Sequence, residues 1–423
     1  MRSDRKITEK RIVYLLFWLC WVVYFISYVG RLNYSSAMSS MIADGVLNRS
    51  QGGVISMTFF FCYGGSQIIS GILADRVNPR RMIVVGLSIA AICNFAMGCL
   101  NNMAAMAVCW GLCGFSQSMI WPAILRIFSE YLMTRTRVKL CVNLSTTIAI
   151  GTLTSYLLSA ILLRFATWRV AFWIPALLMG IVVVAWLRLF PRVERFADEY
   201  GMEEPNEAPL AKPKEGVSVS PSWLLFGSGL FVLIFPTLVH GVLKDGVTAW
   251  VPTYISEAFQ ISPDVAVLAT TMLPIVNLGG AYAANFLNNR LKNEVLTVFV
   301  LFLFATAALV ALWQFGAVSL LFSVFLLALI TSSMMGINTL LVSLIPMRFR
   351  GMGLVSTVSG LLNATAYLGS AISTFTIGVL VESRGWPFTI ASWMVLSAIA
   401  CVICLVVRNV LEKRVFSGMQ GQS

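Results

Sequence analysis

Charge is scarce in this sequence. Asp, Glu, Lys and Arg make up only 11% of its 423 residues, and there is a single histidine. A soluble domain carries about 25% charged residues, so this chain cannot cover a water-facing surface, and a soluble globular fold is excluded. Acidic residues are the rarer sign, 18 against 30 basic. With one histidine and no acid cluster beside the cysteines, no metal centre is expected. The nine cysteines all lie in apolar runs, as in Cys401-Val402-Ile403-Cys404. A thiol there acts as a small apolar side chain, so no disulfide is expected either. The sequence has no phosphate-cradling glycine loop and no nucleophile–base pair. An enzyme, a nucleotide-driven pump and a bound cofactor are therefore not expected.

What the chain has instead is apolar length: 58% of its residues are hydrophobic. A membrane-crossing helix needs about 20 apolar residues. Twelve stretches qualify, the first at 12–34 and the last at 388–407, which predicts an all-α polytopic membrane protein with twelve transmembrane helices. Basic residues precede the first run, as in a signal peptide, but a signal core is about 7–15 residues and Val13 to Gly30 is unbroken by charge. It reads as the first span. Of the 30 Lys and Arg residues, 24 fall on one side of this layout and four (Arg49, Arg164, Arg169 and Arg384) on the other. The positive-inside rule then places both termini in the cytoplasm of a multi-pass cell (inner or plasma) membrane protein. The same asymmetry accounts for the net charge of +12 without a nucleic-acid partner.

One break divides the spans. From Pro191 to Ser222 the chain turns polar, with seven acidic residues and five prolines, the composition of a solvated linker. The expected organisation is a six-helix half over 1–190, a cytoplasmic linker over 191–222 and a second six-helix half over 223–423. Small residues at four-residue spacing, Ala366-Ser370-Thr374-Gly378 and Ser66-Ser70-Ala74, read as close helix contacts.

Two cations fall outside the topological pattern. Arg31 sits late in the apolar run from Ile12 to Ile42, and Lys244 occupies the matching place in the second half. A charge inside a span is expensive and marks a functional site by default. The functional reading is a pair of anion-binding cations, one per half; the alternative is residues that snorkel to the interface. Asp245 follows Lys244 and is open to two roles, counter-ion or proton carrier. His240 lies four residues before Lys244, on the same helical face, and reads equally as a titrating group or a packed side chain. Tyr24 and Tyr28 share a stripe with Arg31 and could donate hydrogen bonds to an anion.

Two kinds of motif carry a family resemblance. The loop Gly71-Ile72-Leu73-Ala74-Asp75-Arg76-Val77-Asn78-Pro79-Arg80-Arg81 resembles the signature of the major facilitator fold, which implies two pseudo-symmetric six-helix halves rocking around a central site. It also implies a gating role for Asp75, Arg76 and Arg80. The counterpart Asn285–Lys292 lacks the acid, so a weaker latch is expected there. The string Tyr24-Phe25-Ile26-Ser27-Tyr28-Val29-Gly30-Arg31-Leu32-Asn33-Tyr34-Ser35 is similar to the organophosphate:phosphate antiporter family, as are Gln117-Ser118-Met119-Ile120-Trp121-Pro122, Trp250-Val251-Pro252-Thr253-Tyr254 and Tyr367-Leu368-Gly369-Ser370. The resemblance covers nearly the whole chain.

It implies that Arg31 binds a substrate phosphate and that Lys244 stands where a second arginine is expected. Tyr24, Tyr28 and Asn33 are the candidate companions. Gln67 appears where the family has a lysine, and the family's span-five histidine has no counterpart between Val138 and Leu163. The implied activity is exchange of phosphorylated metabolites for inorganic phosphate, with Asp245 and His240 as candidate coupling groups. Two alternatives stand beside it: proton-coupled symport of sugar acids or other carboxylates, and a transporter-like sensor of a phosphorylated metabolite. The expected partners are a small anionic substrate and membrane lipid, and the expected working unit is a monomer.

Overall fold

The computed structural model describes residues 5–144, 146–203, 230–349 and 355–408. Side chains at a few positions inside helices, Asp75 and Arg76 among them, fall outside that description, as do residues 204–222 of the expected linker.

The chain is helical because its long apolar runs must satisfy every backbone polar group internally. The first helices are α1 (Lys10–Ala43), α2 (Arg49–Arg76), α3 (Pro79–Cys99) and α4 (Met103–Ser118). They are followed by α5 (Ile120–Tyr131), α6 (Thr134–Leu144), α7 (Thr146–Phe165) and α8 (Val170–Tyr200). Then come α9 (Phe231–Gly241), a π-helical turn (Val242–Gly246) and α10 (Val247–Phe259). The rest is α11 (Pro263–Thr270), α12 (Met272–Leu291), α13 (Glu294–Phe315), α14 (Leu320–Asn338), a second π-helical segment (Thr339–Leu344), α15 (Ile345–Met347) and α16 (Val355–Val407).

Among the described residues, ten stretches are long and apolar enough to cross a membrane. The longest, Val358–Val407, is two spans, because Gly385 breaks it with φ 78°. That positive φ is open to glycine and strained for other residues. With α2 as a further long helix, the expected twelve spans are accounted for in an all-α membrane fold. Among the described residues the helical rule is broken by a two-residue antiparallel pairing of Arg5–Lys6 with Met202–Glu203 and an isolated bridge between Ile7 and Leu132.

Two elements run further than the expected spans. α1 follows the whole apolar run to Ala43, past the expected span end at residue 34, so Arg31 has a helix on both sides. α8 passes through Pro191 to Tyr200, so the first ten residues of the expected linker are helical. Val193 and Ala197 bury one side of that extension, and Glu194 pairs with Arg80 at 2.6 Å.

The chain forms two compact units. The first comprises Met1–Asn48, Thr58–Pro209 and Pro263–Leu268; the second Arg49–Met57, Leu210–Ser262 and Ala269–Ser423. In the first, α1 packs on α7 and α8, and α3 on α4 and α8; in the second, α9 and the π turn pack on α16, and α12 and α13 on α14. Large apolar side chains also face outward, such as Ile92 at 66% and Val108 at 74% exposure. In water such faces would aggregate; in a bilayer, lipid solvates them.

Candidate functional site

In the first unit the site begins with a break in α1. Gly30 leaves helical geometry (φ −88°, ψ 15°) one residue before Arg31. Carbonyls loosened by a kink inside a membrane must find new donors. Here Ser155 Oγ donates to the Val29 carbonyl at 2.9 Å, and Asn94 Nδ2 and Gln117 Nε2 donate to the Gly30 carbonyl at 2.9 and 3.4 Å. Asn33 completes the brace, donating through Nδ2 to Asn94 Oδ1 (2.8 Å) and the Ala171 carbonyl (2.9 Å). It is 1% exposed. Asn33, expected beside the substrate, is thus buried between Asn94 and the α8 backbone, where it holds the amide that braces the kink.

The kink sets Arg31 against aromatic rings. Its guanidinium carbon lies 4.2 Å from the Tyr63 ring centre, 5.3 Å from Phe59 and 5.5 Å from Tyr28. A cation over an aromatic face gains about 0.5–2 kcal/mol, more as it is desolvated. Stacking suits arginine because its charge is planar and weakly hydrated. Of the two expected tyrosines, Tyr28 is half-buried and adjoins Arg31. Tyr24 is buried one turn earlier, its ring 4.9 Å from Trp121 and 5.3 Å from Tyr28. Gln67 is half-buried, one helical turn beyond Tyr63 on α2.

In the second unit the helix widens at the cation. Val242–Gly246 is a π turn, with Lys244 and Asp245 at its centre. Such turns recur at functional sites. The Thr248 hydroxyl donates back to the Lys244 carbonyl. Lys244 Nζ lies 3.4 Å from Asp245 Oδ2 and 5.7 Å from the Tyr367 ring, and the two charged side chains are 19% and 21% exposed. Ser370 Oγ donates to the same Asp245 oxygen at 2.9 Å.

Ser370 reaches this far because the helices nearly touch. A Cβ at Gly241 would overlap the Ala366 carbonyl, one at Gly369 the Leu238 carbonyl, and one at Gly246 the Ser373 hydroxyl. The small-residue stripe of α16 is therefore packing, as its spacing predicts. It also supplies a polar contact to the ion pair.

His240 is wholly buried, its ring facing the Thr237 and Met334 backbone, and neither nitrogen makes a well-formed hydrogen bond among the described residues. The four-residue spacing to Lys244 runs into the π turn, so the two do not share an ordinary α-helical face. Of the two candidate coupling groups, Asp245 is the partly exposed one.

Of the loop residues, Asp75 and Arg76 lie outside the described side chains. Arg80 is tied within its own unit, to Glu194 at 2.6 Å and over the Phe190 ring at 5.9 Å. Arg126 grips the same loop through the Val77 carbonyl at 2.9 Å. In the second unit, where a weaker latch is expected, Arg348 pairs with Glu294 at the start of α13.

Sequence reasoning missed Tyr63 and Phe59, which hold Arg31, and Asn94 and Gln117, which hold its kink. Tyr63 had a usable signal: it stands four residues before Gln67 on one helix.

Apolar spans in two units, each with a cation held among aromatic or polar side chains, define a multi-pass membrane carrier. A Major Facilitator Superfamily profile matches residues 20–374, and the chain belongs to that family of transporters; it is not an enzyme. The chain is 24% identical to a probable hexose phosphate transport protein of Chlamydia trachomatis, over 97% of this chain and 95% of that one. It is 24% identical to a glycerol-3-phosphate transporter of Bacillus subtilis, over 86% and 85%. It is 26% identical to the membrane sensor protein UhpC of Escherichia coli, over 64% of each. Its fold matches the crystal structure of a bacterial homologue of the human lysosomal transporter Spinster, with a TM-score of 0.77, 14% identity, and coverage of 96% and 99%.

Proposed function

We propose that the chain is a secondary transporter of phosphorylated organic anions, working by alternating access and exchanging them for inorganic phosphate. The observation that carries this reading is Arg31, a planar cation seated on the Tyr63, Phe59 and Tyr28 rings at a braced kink. A guanidinium offers a phosphate two parallel charge-assisted hydrogen bonds, and the Tyr28 ring lies beside it. Lys244 is the second unit's contribution to anion binding. Relatives named for hexose phosphate and glycerol-3-phosphate transport support the substrate class.

The protein acts in the cell membrane with both termini cytoplasmic, as a monomer. The Asp75–Arg76–Arg80 loop serves as a gate, of which Arg80 is the arm anchored to Glu194.

Purified chain in liposomes preloaded with unlabelled phosphate tests the exchange. Rapid uptake of labelled phosphate, inhibited by hexose phosphate or glycerol-3-phosphate, is expected. No exchange by folded protein would overturn it. A second reading, proton-coupled carriage of sugar acids, is favoured by the Lys244–Asp245 pair, which already holds one carboxylate on the cation. Uptake of a labelled sugar acid driven by an imposed proton gradient would select it.

A further inference from the structure

The second cation arrives with its own anion. Asp245 Oδ2 is 3.4 Å from Lys244 Nζ and accepts the Ser370 hydroxyl at 2.9 Å. That hydroxyl has one proton and three acceptors in range, the Gly241 and Ala366 carbonyls at 3.1 and 3.0 Å and the carboxylate. The charged acceptor forms the strongest of the three bonds. Ser370 sits on α16, whose backbone is pressed against α9 at Gly241 and Gly369, so it cannot retreat without parting the helices. The carboxylate is therefore fixed, only about a fifth exposed, beside an ammonium that an incoming anion would use.

We propose that Asp245 is a specificity-determining residue, a built-in counter-anion through which the Lys244 position favours substrates carrying a single negative charge over doubly charged ones. The inference rests on the organic-anion transport reading and names the charge form of its substrate. An anion approaching Lys244 meets a pair that is already neutral. It can share the ammonium, but each further negative charge is repelled by a carboxylate a few ångströms away, in surroundings where such repulsion is weakly screened. A phosphate monoester above its second ionisation, near pH 6, carries two charges; the same ester capped with a methyl group carries one. Ser370 is the positioning residue: without its hydroxyl the carboxylate loses one of its two holds.

The test uses the purified full chain in liposomes at pH 8, measuring uptake of labelled glycerol-3-phosphate and of its singly charged methyl phosphodiester. Wild type is expected to favour the phosphodiester. Asp245→Asn should shift the ratio at least about tenfold toward the doubly charged ester, Asp245→Glu should keep the wild-type ratio, and Ser370→Ala should shift it in the same direction by less. Because the readout is a ratio, a loss of protein quality that lowers both rates leaves it unmoved. An unchanged ratio in Asp245→Asn, with wild type transporting either ester, overturns the inference alone. If Asp245→Asn is inactive, an unchanged ratio in Ser370→Ala does the same. No uptake of either ester by folded wild type overturns the transport reading on which it rests.

Discussion

The two intramembrane cations, Arg31 in the first unit and Lys244 in the second, are accommodated differently. Arg31 lies over aromatic rings, 4.2 Å from Tyr63 at the closest, after a kink that three neighbouring helices brace. Lys244 lies in a π turn beside a carboxylate that a serine of α16 holds. The difference follows from the side chains. A guanidinium spreads its charge over a plane and sheds water readily, so ring faces can replace its hydration. An ammonium is compact and strongly hydrated, and a carboxylate is the better substitute for its lost water. Residue type at the cation thus selects the chemistry around it, and the two positions are not equivalent.

The comparison can be broken at its strongest point first. Arg31→Glu should lower transport at least about a hundredfold, the equivalent of about 2.7 kcal/mol, while the protein still folds. Uptake into liposomes, with yield and monodispersity as controls, checks it. Retained transport would remove Arg31 from the site.

Gly241→Ala comes next. Its Cβ would press on the Ala366 backbone carbonyl, which cannot move aside as a flexible side chain could. A cost of about 3 kcal/mol in stability is expected, as for other overpacked sites, read as a lower unfolding temperature in detergent. The same substitution at Gly65, where a Cβ would meet nothing within 4 Å, should be close to neutral and serves as the control.

The Lys244–Asp245 pair can then be dissected thermodynamically. Lys244→Ala strands a mostly buried carboxylate and should cost about 2 kcal/mol of stability. Lys244→Ala with Asp245→Ala should cost less than the single change. Unfolding transitions of the two single variants and the double measure the coupling. No coupling would mean that the pair is a loose surface contact.

The smallest effect is expected at Asn33. Asn33→Ala removes two hydrogen bonds from the kink brace and should cost about 1–2 kcal/mol in stability. The concentration of phosphate ester giving half-maximal uptake should stay near wild type. A large rise in that concentration, with stability intact, would return Asn33 to the substrate.

Much of the fold is legible in the amino-acid sequence alone. Apolar runs separated by short polar loops specify the spans, because nothing else satisfies the backbone in lipid. Arg31 and Lys244 stand out because a buried charge is rarely present without a role. Asn33 illustrates the limit: the motif around Arg31 names it, but whether an amide faces a cavity or a neighbouring helix depends on the direction of a kinked helix. The brace explains the difficulty, since Asn94 and Gln117 come from α3 and α4, far along the chain. The length of α1 shows the same limit: the apolar run reaches Ile42, but only the structure shows one helix continuing past the Gly30 kink to Ala43.

The sequence by itself determined the membrane class, the number of spans and the two positions where a cation is retained in them. Each depends on local composition, and the cost of exposing charge or backbone to lipid is incurred residue by residue. Only the tertiary structure decided what surrounds each cation: rings for Arg31, a carboxylate held by Ser370 for Lys244, and a buried bracing position for Asn33. The Arg31 rings come from its own helix and the next one, whereas Ser370 and the Asn33 partners Asn94 and Ala171 come from helices distant along the chain. Their approach is set by where glycines let backbones touch and where kinked carbonyls require a donor, and neither is written in any one segment.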